Sequence, residues 1–206
     1  VASLDFTMST EAPFPANVHD IKAAIRFLSP KASQYGYRTE KIAIAGASSG
    51  GHLAAIVGVS NGNKDLRGTI GNHLNQSSDV HAIIDYYGAS NLSTILKQST
   101  PHGLSVRKPA LELLLGALPE NVPDVAERAS PVSHVDAADP PLLLIHGDQD
   151  NQMPINQSHE LGGRYKALKR DVEFHVVYGA GHGGDKFFSG EQLDVALRFL
   201  NRVIGK

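Results

Sequence analysis

Residues 41–59 read KIAIAGASSGGHLAAIVGV, and this stretch decides the fold. Lys41–Ala45 (KIAIA) is an apolar run of the kind a strand buried on both faces produces. Gly46-Ala47-Ser48-Ser49-Gly50-Gly51 is small throughout, as a tight turn requires, and Gly51–Val59 is a helix of small residues. Strand, turn and helix in direct succession is the unit from which α/β sheets are built.

The flanking sequence repeats the alternation. Upstream, Val1–Phe6 (VASLDF) reads as a strand, and Val18, Ile21, Ile25 and Leu28 recur at helical spacing until Pro30 and Gly36 close the segment. Downstream, Asn61–Asp79 is polar and Gly/Asn-rich, the composition of a long surface loop. Val80–Tyr86 (VHAIIDY), Pro141–His146 (PLLLIH) and Val172–Tyr178 (VEFHVVY) read as strands, with helices over Asn156–Leu168 and Gln192–Ile204. Residues 90–135 hold helical pieces, Ala110–Leu115 and Val122–Ala129 among them, and no strand. Five strands interleaved with helices predict an α/β fold with a mostly parallel sheet flanked by helices.

Composition sets the outer bounds. The 206 residues suit one domain, with 41% hydrophobic and 19% charged residues, against disorder. Nineteen basic against twenty-one acidic residues give a net charge of −2, too balanced for a nucleic-acid partner. No apolar run approaches the roughly 18 residues of a membrane span. With no cysteine there is no disulfide scaffold, thiolate nucleophile or cysteine-ligated metal. H-E-x-x-H and the Walker pattern are absent too, so no metal or cofactor is expected. Composition fixes neither compartment nor oligomeric state.

In open parallel sheets the chemistry lies beyond the carboxyl ends of the strands. After KIAIA, Gly46, Ser48 and Gly50 satisfy G-x-S-x-G, the nucleophile elbow, whose glycines keep neighbouring Cβ atoms clear of a strained Ser48. A serine hydroxyl needs a base to remove its proton and a carboxylate to orient that base. PLLLIH is followed by Gly147-Asp148-Gln149-Asp150, and VEFHVVY by Gly179-Ala180-Gly181-His182. Serine, acid and histidine therefore come in the order that the elbow motif requires. Asp148 and Asp150 compete for the acid, since an aspartate in a loop is commonly a turn former. His146 ends a strand and reads as support for the aspartate loop.

EAPFPANVHDIKAAIRFL (11–28), KIAIAGASSGGHLAA (41–55), ASPVSHV (129–135), DPPLLLIHGDQD (139–150) and GAGHGG (179–184) together resemble the esterase/lipase branch of the α/β-hydrolases. Within it they are most similar to the bacterial feruloyl-esterase-like group that includes carbohydrate-acetyl esterases. The resemblance implies the α/β-hydrolase fold, a catalytic triad of Ser48, Asp150 and His182, and cofactor-free hydrolysis of small-molecule or carbohydrate esters through an acyl-enzyme. It also implies that the Ser49 N–H is one oxyanion-hole donor. The family's second donor comes from an upstream HGG-type loop on a strand between those matching Val1–Phe6 and Lys41–Ala45, and no HGG precedes the elbow here. The expectation is one α/β-hydrolase domain over 1–206, N-terminally incomplete, with a small helical cap-like insertion at about 90–135.

Three alternatives compete. A serine peptidase on the same fold would share the triad, and a non-catalytic binding module would share the fold alone. A short-chain dehydrogenase would account for GASSG and for Tyr165-x-x-x-Lys169, but its cofactor turn needs glycine where His52 stands and should follow the first strand.

Overall fold

The computed structural model of the protein describes residues 1–205. Four strands, β1 (Ala43–Ala47), β2 (Ala82–Tyr86), β3 (Leu142–Gly147) and β4 (Val172–Val177), form one sheet in the order β1-β2-β3-β4. All three pairings are parallel, with Ala47 opposite Tyr86, Tyr86 opposite Ile145, and Ile145 opposite His175. Parallel neighbours need crossovers, and a chain that steps in one direction with right-handed crossovers keeps those helices on one face.

The side chains follow that geometry, because successive strand residues point to opposite faces. Ile83, Leu142 and Leu144 pack with Ala54 and Ala55 of one helix (Ser49–Gly58) and with Leu161 and Tyr165 of another (Asn156–Ala167). Ala82, Ile84, Leu143 and Ile145 face the other way, onto Val195, Ala196 and Phe199 of the last helix (Gly190–Val203). In chain order these helices are α2 (Ser49–Gly58), α4 (Asn156–Ala167) and α5 (Gly190–Val203); α1 is Ala16–Leu28 and α3 is Pro101–Leu115. The two central strands are buried at every position, which is why they read as mostly apolar runs, interrupted only by Asp85 and His146.

Helix α1 lies on α2 through Val18, Ile21 and Ile25. Its Lys22 is buried, yet Nζ donates to the carbonyls of Ser60 (2.9 Å) and Val57 (3.4 Å), at and just beyond the C-terminal end of α2. Burial lowers the Lys22 pKa to about 8, against the opposing pull of Asp79.

Three expectations are corrected. Val1–Phe6 forms no strand: Leu4 and Phe6 pack on the core as extended coil, and the Thr7 N–H donates to Asp20 Oδ2. Alternating apolar residues signal burial, but a strand also needs a pairing partner, and among the described residues Val1–Phe6 has none. The sheet therefore has four strands rather than five. Helix α3 is far longer than Ala110–Leu115, running through Pro109 from a Thr100 cap whose Oγ1 accepts from the Gly103 N–H. Proline at its first position is the start signal, and Pro109 masks the continuity. Residues 90–135 contain no strand, and Asn61–Asp79 holds one short helix, Lys64–Arg67, capped by Asn63.

Candidate active site

Chain direction brings the carboxyl ends of all four strands to one edge of the sheet, and the loops there meet. After β1, Ser48 takes φ 55° and ψ −115°, a conformation that L-residues adopt under strain, of order 1–3 kcal/mol. The strain is held by the Ser48 N–H donating to Tyr86 O (2.9 Å) and by α2 beginning at the next residue. A Cβ on Gly46 would lie 2.1 Å from the Gly50 carbonyl oxygen, so only glycine fits there. On Gly51 a Cβ would lie 2.3 Å from Asp85 Oδ1, so α2 packs against β2 through a bare backbone. A Cβ on Gly50 would meet nothing within 4 Å, so the last glycine of the motif is not demanded by space.

Ser48 Oγ lies 2.8 Å from His182 Nε2, and His182 Nδ1 lies 2.7 Å from Asp150 Oδ2. The three residues expected at the strand ends are thus joined in one hydrogen-bonded chain. The Asp150 side chain is fully buried and that of His182 is 15% exposed. Burial by itself would raise the Asp150 pKa, but hydrogen bonds from His146, His182 and the Met153 N–H outweigh it and hold the carboxyl well below the usual range. Asp150 Oδ1 accepts from the N–H groups of Gln152 (2.9 Å) and Met153 (2.8 Å), which fixes the carboxylate plane. Asp148 does something else: its Oδ1 accepts from the Gly179 N–H (2.7 Å), tying the aspartate loop to the histidine loop. Gln149 N–H adds a second tie to Ala180 O (3.0 Å), and Gly147 allows the approach, since a Cβ there would lie 2.3 Å from the same oxygen.

Two further residues complete the surroundings: Tyr87, which the sequence did not single out, and His146, which it marked as support for the aspartate loop. Tyr87, in a positive-φ conformation directly after β2, presents its ring edge-on to His182 at 4.9 Å between centroids and to Phe187 at 4.6 Å. His146 is buried, with Nδ1 2.8 Å from Ser158 Oγ and Nε2 3.1 Å from Met153 O. A carbonyl only accepts, so Nε2 carries the proton and Ser158 donates to Nδ1. For Tyr87 the only sequence signal was its position just after a strand end.

The Ser49 N–H opens α2 and has no acceptor within the helix. Ser49 also lines a cavity of about 140 Å³, together with Phe6, Ser48, His52, Leu92 and Leu111. His52 is tied down by Nε2 to Ala129 O (2.8 Å), and burial lowers its pKa, so it stands there neutral. Among the described residues no three His, Asp or Glu side chains are grouped to hold a metal ion, and no helix is long and apolar enough to cross a membrane.

A parallel sheet with a strained serine elbow and an acid and a histidine on later strand ends is the architecture of the α/β-hydrolases. Within that class the chain matches the BD-FAE family over residues 1–165, and it belongs to that family. Over 97% of its length it superposes on a truncated form of a carbohydrate esterase from gut microbiota, at TM-score 0.89 and 34% identity, covering 72% of that chain. A thermophilic esterase of Thermogutta terrifontis with propionate bound gives TM-score 0.74 and 26% identity, over 96% of this chain and 70% of that one. Among sequence relatives, Esterase LipC of Mycobacterium tuberculosis is 28% identical over 98% of this chain. The chain spans 50% of LipC and 38% of Esterase LipQ from the same organism.

Proposed function

We propose that the protein is a carboxylic ester hydrolase that works through an acyl-enzyme on Ser48. The observation that carries this reading is the chain of short contacts Ser48–His182–Asp150, with 2.8 and 2.7 Å between its members. His182 Nε2 takes the Ser48 proton as Oγ attacks the ester carbonyl, and ionised Asp150 stabilises the imidazolium. The Ser49 N–H, at the positive end of α2, donates to the oxyanion of the tetrahedral intermediate. His182 then returns the proton to the departing alcohol, and a water activated by the same histidine releases the acid. No cofactor takes part.

The substrate class is short-chain acyl esters, including acetyl or feruloyl esters of carbohydrates. The small cavity beside Ser48 supports it, as do the similarities to a carbohydrate esterase and to a propionate-binding esterase. We also read residues 90–135 as a helical cap over this cavity, because Leu92, Ile95, Arg107 and Leu111 line it.

The test is to treat the full-length protein with a fluorophosphonate and to assay 4-nitrophenyl acetate. Labelling at Ser48 and hydrolysis that both vanish in Ser48→Ala are expected. Equal turnover in Ser48→Ala would overturn the reading, and labelling without ester turnover would point to a different acyl-transfer substrate.

A further inference from the structure

The cavity beside Ser48 is mostly apolar, and Arg107 is the one charged side chain among its lining residues. Arg107 sits on α3, half-buried, with Nε shut off from solvent and without a hydrogen-bond partner. Its one side-chain hydrogen bond among the described residues is a long one, Nη2 to Gln152 Oε1 at 3.5 Å. Among the described residues no carboxylate lies within ion-pair distance of it, although the charge of Asp150 acts on it from further away. A guanidinium offers five donors in a planar fork, and taking it out of water without partners is unfavourable. Buried groups left unsatisfied in this way need an explanation, and a bound ligand is one.

Asn17 adds a second donor. Its side chain is buried at the cavity wall, and its Oδ1 is occupied by the Val18 N–H (2.9 Å). The amide NH2 is thus the free end of that side chain. The cavity therefore offers hydrogen-bond donors and a single positive charge, with no acidic residue in its lining to answer it.

We propose that Arg107 is a specificity-determining residue that pairs with a free carboxylate carried by the ester substrate, close to the scissile bond. The inference rests on the esterase reading above and deepens it by naming the substrate's second functional group. One guanidinium matches one monoanion, and a planar carboxylate can take two of its N–H groups in parallel. A phosphate dianion would leave a charge uncompensated, since the neutral His52 supplies none. A site built to hydrogen-bond a substrate group discriminates far more strongly than a hydrophobic pocket does against an added methylene. The carboxylate can sit on the acyl side or on the alcohol side of the ester.

The experiment compares kcat/KM for matched pairs with the full-length protein. On the acyl side, 4-nitrophenyl hydrogen succinate is set against its methyl ester; on the alcohol side, 4-acetoxybenzoate is set against its methyl ester. We expect the wild type to favour the free carboxylate in one arm by about 10-fold or more. In Arg107→Gln that preference should collapse toward unity, and Arg107→Lys should retain part of it. A wild-type ratio near one in both arms overturns the inference without any variant having to fold. So does a preference that survives in Arg107→Gln. If Arg107 only steadies the Gln152 loop, its removal slows both members of a pair alike and leaves the ratio unmoved, which also overturns it. Failure of the underlying esterase reading looks different: Ser48 is unlabelled by the fluorophosphonate and no ester is turned over.

Discussion

His146 Nε2 lies 3.3 Å from Asp150 Oδ2, both side chains fully buried, so the carboxylate that meets His182 is also held from behind by a second histidine. The hydrogen-bonded row runs Ser158, His146, Asp150, His182, Ser48. His146 is not itself among the residues that line the cavity and reaches only the carbonyl of Met153, which is, so we expect it to act as a positioning residue through Asp150. Ser158→Ala leaves His146 Nδ1 without its donor and should lower stability by about 1 kcal/mol. His146→Ala strands Ser158 Oγ and Met153 O and opens a void, a loss of roughly 2 kcal/mol or more. In both, kcat should fall while KM stays close to wild type. Thermal melts beside steady-state kinetics read the two effects, and a change confined to KM would contradict this role.

Ser48→Ala and His182→Ala should each remove most turnover of a short-chain aryl ester, with the double variant little worse than either. Residues that act as a unit lose on the order of 10⁶ in kcat once, not twice. Additive losses in the three variants would separate Ser48 from His182 functionally, despite their 2.8 Å contact.

Asp150 and Asp148 stand two residues apart and meet different partners on the histidine loop, the His182 ring and the Gly179 N–H. Asp150→Asn should keep the fold but favour the wrong tautomer of His182, a loss of about 10⁴ in kcat. Asp148→Asn weakens the acceptor for the Gly179 N–H and should cost about 1 kcal/mol of stability with little change in rate. Turnover and melting of the two Asn variants, compared side by side, distinguish the assignments; an inactive Asp148→Asn beside an active Asp150→Asn reverses them.

The two motif glycines should respond oppositely to alanine. Gly46→Ala drives a Cβ to 2.1 Å from the Gly50 backbone, so the elbow must distort and soluble yield or activity should collapse. Gly50→Ala adds a methyl into open space within α2 and should raise stability by about 0.5–1 kcal/mol. Melting curves decide, and destabilisation by Gly50→Ala would mean that its role is not steric.

Asp139, buried at the start of β3, has its pKa pushed from 3.8 up to about 7, by burial first and by the Asp136 charge as well, against the Asp136 N–H and Arg170. Between those two values the folded protein binds more protons than the unfolded chain, so this group's contribution falls as pH rises through the window. Asp139→Asn should therefore leave stability near pH 4 little changed and raise it at pH 8 by on the order of 1 kcal/mol. Denaturant melts across that range test it, and parallel profiles for wild type and variant would place the pH dependence elsewhere.

Local sterics and periodicity made much of this molecule readable from its residues. The runs at β2 and β3 are mostly apolar because both faces are covered, and Gly46-x-Ser48 is small because a strained turn admits nothing larger. Strand ends in a parallel sheet share one edge, so the neighbourhood of Ser48, Asp150 and His182 followed from order alone. Tertiary structure decided what depends on partners far along the chain. Whether VASLDF pairs as a strand, whether Asp148 or Asp150 turns to His182, and where Lys22 and His146 find their acceptors are such questions. So is the exposure of Arg107 to the cavity, on a helix that Pro109 conceals. The contact between Ser48 and His182 joins residues 134 positions apart, and no local preference encodes a distance of that kind. It exists because packing on both faces of the sheet leaves the loops beyond it only one way to meet.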